Sequence, residues 1–163
     1  MTRPTWDDSF LAIAREAAKR SKDESTKVGS VIVGPDNEIR SIGYNCFPRG
    51  INDDAPERHT RPKKYLYFEH AERNAIYNAA RVGIPLKGCS IYLSWLPCAD
   101  CARAIIQAGI SGIVTDNIDI PDRWQDSIKA ALEMLGEAGV PIRVANAAAS
   151  LDPRSLVEST VKT

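Results

Sequence analysis

Helical and extended sequence patterns alternate along the second half of the chain, and few folds accommodate this order. Three stretches with a helical pattern are predicted as helices: His70 to Arg81, Ala99 to Ala108 and Asp122 to Ala138. Short apolar stretches between and after them are predicted as strands: Cys89 to Ser94, Ile110 to Thr115 and Val140 to Val144. Strands separated by helices favour parallel pairing through right-handed crossovers. The order therefore predicts an α/β fold.

The first part of the chain predicts a helix followed by a hairpin. Apolar residues recur at helical spacing from Trp6 to Arg20, with Thr5 or Asp7 as the N-cap. Val28 to Val33 and Glu38 to Tyr44 are predicted strands on either side of a Pro-Asp-Asn turn. Together with the later strands, this hairpin predicts a mixed five-stranded sheet in a three-layer α/β/α arrangement.

The length of the chain, 163 residues, is the usual size of one domain. No repeat or linker divides it, so residues 1–144 are predicted to form a single domain. Small and polar residues from Ala145 onward predict a partly ordered tail over residues 145–163. Asn45 to Lys64 shows no periodicity, and a loop of this length in a compact domain tends to be functional.

Charge and composition limit the possible partners. Lysine plus arginine equal aspartate plus glutamate at 21 each, so the basic excess typical of polynucleotide-binding proteins is missing. No apolar run approaches the roughly 20 residues of a membrane-spanning helix, and the N-terminus is polar rather than signal-like. A close cysteine pair in such a chain is typical of metal binding in a reducing compartment. We expect a cytoplasmic protein that acts on a small molecule and has no membrane partner.

Two short segments carry the residues suited to metal chemistry, His70-Ala71-Glu72 and Cys98-Ala99-Asp100-Cys101. Catalytic zinc takes three protein ligands and keeps a fourth position for water. Cys98 and Cys101 share one face at the start of a predicted helix, where the helix N-terminus favours the thiolate form. With His70 from a second helix, they are predicted to bind one Zn²⁺.

Glu72 is the predicted catalytic residue. It follows His70 by two positions, close enough to reach a water molecule at the metal without entering the metal's own shell. Zinc lowers the pKa of bound water to near neutral pH. Glu72 can take the released proton and return it to departing ammonia. Attack of water on an amidine-like ring carbon, followed by loss of ammonia, is a hydrolytic deamination.

The order His-x-Glu and then Pro-Cys-x-x-Cys is the signature of zinc-dependent nucleobase deaminases, which this chain resembles. Within the cytidine and deoxycytidylate deaminases it is most similar to the deoxycytidylate branch, over about Trp6 to Val114. Further segments carry this likeness: Ser21-Lys22-Asp23, Val28-Gly29, Ile42-Gly43-Tyr44-Asn45, Asp53-Asp54, Lys64 to Ile76 and Gln107-Ala108-Gly109-Ile110. The resemblance implies a cytidine-deaminase-type fold, Zn²⁺ as cofactor, conversion of dCMP to dUMP plus ammonia, and a homo-oligomer.

Five residues are predicted to contact the substrate. The resemblance implies that Asn45 binds polar groups of the substrate and that the Ala71 backbone N–H contacts the pyrimidine carbonyl. Ser94 and Trp95 begin a Ser-Trp-Leu-Pro-Cys run that is similar to polynucleotide-editing cytidine deaminases. Trp95 either lines the base pocket or belongs to the core. Four basic residues either receive a 5′-phosphate or belong to a solvated loop: Arg58, Arg61, Lys63 and Lys64.

Three other functions are compatible with the sequence. The same chemistry can act on a free base such as cytosine or guanine, on a nucleoside such as cytidine, or on a modified pyrimidine nucleotide, because a few polar contacts decide specificity. Polynucleotide editing is suggested only by the run from Ser94 to Cys98. A non-catalytic zinc-binding module needs a fourth protein ligand, from Cys46, Cys89 or His59.

Overall fold

The computed structural model describes residues 2–159 and contains every helix and strand predicted above. Its helices are α1 (Trp6–Ala18), α2 (Ala71–Val82), α3 (Ala99–Gln107), α4 (Gln125–Glu137) and α5 (Pro153–Ser159). Its strands are β1 (Gly29–Val33), β2 (Ile39–Tyr44), β3 (Ser90–Leu93), β4 (Gly112–Thr115) and β5 (Ile142–Val144). In this part of the chain no helix has the length and apolar character needed to span a bilayer.

The sheet is mixed and has five strands in the order β2-β1-β3-β4-β5. Strand β1 pairs antiparallel with β2 and with β3. Strands β3, β4 and β5 pair in parallel through the α3 and α4 crossovers. The predicted hairpin and the predicted parallel strands are both confirmed.

The two faces of the sheet are covered by different helices, because neighbouring residues of a strand point to opposite faces. Val31 and Tyr92 pack with Phe10 of α1 on one face. Ile32 and Ile91 lie in the larger core on the other face, which holds buried residues of α2, α3 and α4. The result is the predicted three-layer α/β/α arrangement.

Helix α2 approaches the sheet very closely at Gly43 of β2. A Cβ at this position would overlap the backbone of Ala71 and Ala75. The hydroxyl of Ser30 donates to the Ala71 carbonyl over 2.8 Å, and the hydroxyl of Ser41 donates to the Ala75 carbonyl over 2.6 Å. These contacts fix the N-terminal end of α2 against β1 and β2.

The segment after β5 contributes to the core. Residues 145–159 belong to the region expected to be a partly ordered tail, yet they include α5, which packs against α4. Leu156 is 8% exposed and lies in the large core, and Leu151 bridges to Ile142 of β5. Residues 160–163 of the predicted tail lie outside the described residues.

Candidate active site

His70, Cys98 and Cys101 meet where α2 and α3 begin. Their potential ligand atoms lie within 4.8 Å of one another, and Nδ1 of His70 is 3.5 Å from each of the two sulfur atoms. Two ligands of a tetrahedral zinc ion, each about 2.0–2.3 Å from the metal, are themselves about 3.5 Å apart. The three side chains therefore fit a single zinc ion.

The start of α3 favours the thiolate form that zinc binding requires. Cys98 is the N-cap of α3 and Cys101 lies in its first turn, where backbone N–H groups and the helix dipole favour negative charge. Hydrogen bonds from Cys101 and from His70 lower the pKa of the Cys98 thiol to about 3. Burial, together with the neighbouring Cys98 and Glu72, raises the pKa of the Cys101 thiol instead. Cys98 is therefore the thiol that the protein itself holds as a thiolate, and Cys101 ionises with the help of the metal.

The other candidate ligands lie elsewhere. Nε2 of His59 is 2.7 Å from the Asp53 carbonyl, Sγ of Cys46 accepts a hydrogen bond from Asn74, and Cys89 is buried in the large core. Across residues 2–159, no other His, Cys, Asp or Glu joins the three donors. Three protein ligands are the composition of a catalytic zinc site, whereas structural sites have four.

Glu72 lies beside the three donors. It lines a cavity of about 110 Å³ together with His70 and Cys98. Its side chain is buried, with 5% of the residue exposed, and burial raises the pKa of its carboxyl group. A higher pKa makes a carboxylate a stronger proton acceptor, which suits the role of a general acid–base.

Two tryptophans form part of the cavity wall. Trp95 lines the cavity, in agreement with one of the two interpretations of its position. Trp124 was not singled out from the sequence. Its ring meets the His70 ring edge-on at 5.8 Å and the Tyr65 ring in the same way at 5.8 Å. The cavity therefore has aromatic surfaces suited to a planar base.

Asn45 lines the cavity at the end of β2, but its amide is already used within the protein. Its Oδ1 accepts from the Val28 N–H and its Nδ2 donates to the Thr26 carbonyl, each over 2.8 Å. One N–H of Nδ2 is left for another acceptor, since an amide nitrogen carries two. The predicted contact with substrate is therefore restricted to that second N–H or to the remaining acceptor capacity of Oδ1.

Ala71 and Ser94 do not line the cavity. Ala71 is fully buried as the first residue of α2, where backbone N–H groups have no acceptor within the helix. Ser94 follows β3 and is partly buried.

The basic residues separate into two groups. The guanidinium of Arg58 lies 4.6 Å from the centre of the Tyr67 ring and donates to the Asn52 carbonyl, and Arg58 does not line the cavity. Arg61, Lys64 and Arg123 do line it. The ammonium of Lys64 is buried and already bound, at 2.7 Å from Asp23 and 2.6 Å from Ser25. The exposed cations on this wall are therefore Arg61 and Arg123.

A three-layer fold that brings one histidine and two cysteines beside a buried glutamate defines the class: a zinc-dependent hydrolase that removes an amino group by breaking a C–N bond. The family model described as the cytidine and deoxycytidylate deaminase zinc-binding region matches residues 4–116. The chain belongs to this family.

Similar proteins are known from distant organisms. The deoxycytidylate deaminase of Homo sapiens is 41% identical over 145 residues, which cover 85% of this chain and 78% of the human protein. That of Mycobacterium phage D29 is 35% identical over 126 residues, 70% of this chain and 96% of the phage protein. The dCMP deaminase of cyanophage S-TIM5, solved with dCMP and dUMP, has a TM-score of 0.71 at 24% identity and covers 88% of this chain and 99% of its own. This last likeness shows the shared fold.

Proposed function

We propose that the protein hydrolyses dCMP to dUMP and ammonia, with zinc held by His70, Cys98 and Cys101 and with Glu72 as the proton carrier. The main support for the proposal is one cavity. It is lined by two of the proposed zinc donors, His70 and Cys98, by the buried Glu72, and by the exposed Arg61 and Arg123. The relatives named deoxycytidylate deaminases support the choice of nucleotide.

The reaction replaces the exocyclic amino group of the cytosine ring with oxygen from water. Zinc bound by the three donors would acidify water and so supply the nucleophile near neutral pH. The Glu72 carboxylate accepts a proton from the attacking water and delivers it to ring nitrogen N3 as the C–O bond forms at C4. The second proton, from the hydroxyl group then on C4, passes through Glu72 to the amino group, the C–N bond breaks and ammonia leaves. Burial of Glu72 strengthens the electrostatic effect of its carboxylate on these proton transfers.

The cavity wall suggests how a nucleotide is held. Trp95 and Trp124 offer apolar surfaces to the base, and the second N–H of the Asn45 amide can donate to the sugar or the base. Arg61 and Arg123 are the groups that we assign to the 5′-phosphate, because a guanidinium binds phosphate with two parallel hydrogen bonds. Arg61 is oriented by Tyr65, whose hydroxyl accepts from its Nε over 2.9 Å.

Replacing Arg123 with Gln tests the phosphate assignment. We expect kcat/KM for dCMP to fall by about 10-fold to 100-fold, mainly through a higher KM, since one charge-assisted contact is lost. Activity on deoxycytidine, which has no phosphate, is expected to stay at its wild-type level. Arg58→Gln is the matched control, since Arg58 lies outside the cavity wall, and it should leave both substrates unaffected.

The substrate itself is tested by ammonia release from dCMP, CMP, deoxycytidine, cytosine, guanine and adenosine at equal concentration. The expected result is that dCMP has the highest kcat/KM. Turnover of an unphosphorylated compound with dCMP inert would overturn the proposed substrate while leaving the deaminase chemistry in place.

We also propose that the protein works in the cytoplasm as a homo-oligomer. None of the four cysteines forms a disulfide, as suits a reducing compartment. The edge strand β2 and the neighbouring helix α2 expose apolar side chains that a second copy can cover, namely Ile42, Tyr77 and Val82. Light scattering of the purified protein should give a mass at least twice the 17.9 kDa of one chain, and a monomer at micromolar concentration would contradict the proposal.

A further inference from the structure

Arg73 connects the first turn of α2 to the buried cysteine of the proposed zinc site. Nη1 of Arg73 lies 3.5 Å from Sγ of Cys101 and donates a hydrogen bond to it. Cys101 is fully buried, and the Arg73 side chain is 15% exposed. A guanidinium is always positively charged in proteins, so this contact places a cation beside the sulfur atom.

Glu69 holds this guanidinium in place. Its Oε1 accepts from Nε of Arg73 and forms an ion pair with Nη2, so that two nitrogens of the planar group are occupied by one carboxylate. The same oxygen accepts from the backbone N–H of His70 over 3.1 Å. Glu69 therefore fixes both the backbone of His70 and the guanidinium of Arg73, which contacts Cys101.

The arrangement has an electrostatic consequence. Zinc bound here by two thiolates and one neutral imidazole would carry no net charge, with its negative charge concentrated on two neighbouring sulfur atoms. A fixed cation at hydrogen-bond distance from one of them withdraws electron density from that sulfur and offsets repulsion between the two. In metal sites, groups that bond to the ligands in this way set ligand orientation and metal affinity.

We propose that Arg73, clamped by Glu69, is a positioning residue of the zinc site that acts through Sγ of Cys101. The inference rests on the proposed role of Cys101 as a zinc ligand. Arg73 does not line the cavity, so its effect reaches the reaction through the metal and its ligand rather than through substrate.

Replacement of Arg73 by Gln tests this role through the metal itself. Zinc affinity, measured by competition with a chromophoric chelator, is expected to fall by about 10-fold to 100-fold. In the cobalt-substituted protein, the sulfur-to-cobalt charge-transfer band should move to longer wavelength, because a thiolate without its cationic donor gives up electron density more readily. A purely structural role for Arg73 would leave the position of this band unchanged.

Two further variants make the result specific. Arg73→Lys keeps the charge but cannot bridge Glu69 and Cys101 with a planar fork, so its zinc affinity should lie between those of wild type and Arg73→Gln. Arg81→Gln, an exposed position in the last turn of the same helix, is the matched control and should behave as wild type. If Arg73→Gln fails to fold, Arg73→Lys alone carries the test through its band position and affinity.

The outcomes separate this inference from the proposed function. Wild-type zinc affinity and an unmoved cobalt band in the Arg73 variants would overturn the role of Arg73, even if dCMP turnover is confirmed. Failure of the wild-type protein to bind zinc through Cys101 would instead overturn the proposed site on which the inference rests.

Discussion

Replacing Glu72 with Gln is expected to lower kcat for dCMP by about 100-fold to 10,000-fold, the range assigned to loss of a general acid–base. The amide has nearly the same volume as the carboxyl group, so the cavity wall beside His70 and Cys98 keeps its shape. A neutral amide costs less to bury than a carboxylate, so the variant should remain folded. What the amide cannot do is take a proton from water and return it to the departing amino group.

Turnover and zinc content of the Glu72 variant should be measured on the same preparation. We expect about one zinc ion per chain in both the variant and the wild type, with only turnover reduced. Glu133→Gln, at an exposed position on α4, is the matched control and should leave turnover unchanged. A Glu72→Gln enzyme with full zinc content and wild-type turnover would exclude Glu72 as the proton carrier.

Replacing Cys98 with Ala is expected to abolish zinc binding and, with it, activity. The site has three protein donors, and two are too few to retain zinc against a chelator. Zinc content measured by atomic emission should fall from about one ion per chain to near zero. The thermal unfolding temperature should also fall, because the wild-type protein gains stability from a ligand that binds only the folded state.

The remaining cysteines provide the controls for this result. Cys89→Ala removes a buried thiol that is not part of the donor group, so zinc content should be unchanged even if the core is slightly destabilised. Cys46→Ala should also retain zinc, since Cys46 contacts Asn74 rather than the donors. Loss of zinc from the Cys46 variant would indicate a closed, four-ligand site and argue against catalysis.

The elements and the metal donors could be predicted because their patterns are local. Apolar residues at helical or strand spacing decide the type of each element from its own residues. The spacing of Cys98 and Cys101 on a helix start, together with His-x-Glu on another helix, specifies which side chains can share one ion. The structure brings these side chains to within 4.8 Å of one another.

The wall of the cavity could not be predicted from the sequence, because it depends on contacts between segments that are distant in the chain. Trp124 contacts the His70 ring although the two residues are 54 positions apart in sequence. Trp124 lies in a 3-10 turn whose sequence matches no motif. Lys64 is bound by Asp23, 41 positions earlier, which changes its role from a free cation to a buried ion pair. Arg58 was an equally good candidate by composition, but the loop turns it onto Tyr67.

The sequence pattern does not predict helix α5, for a related reason. Its sequence is short and follows a run of small and polar residues, so it has too few apolar positions to show a period. Isolated helices of this length are unstable in water and form because they pack. Here Leu156 supplies that packing by entering the core beside α4.

X-ray absorption spectroscopy at the zinc K-edge of the wild-type protein tests the central claim, which is that one imidazole and two thiolates hold a catalytic zinc ion. The account predicts two sulfur scatterers at about 2.3 Å and nitrogen or oxygen scatterers at about 2.0–2.1 Å. Three or four sulfur scatterers would instead mean that another cysteine closes the site, and would contradict it.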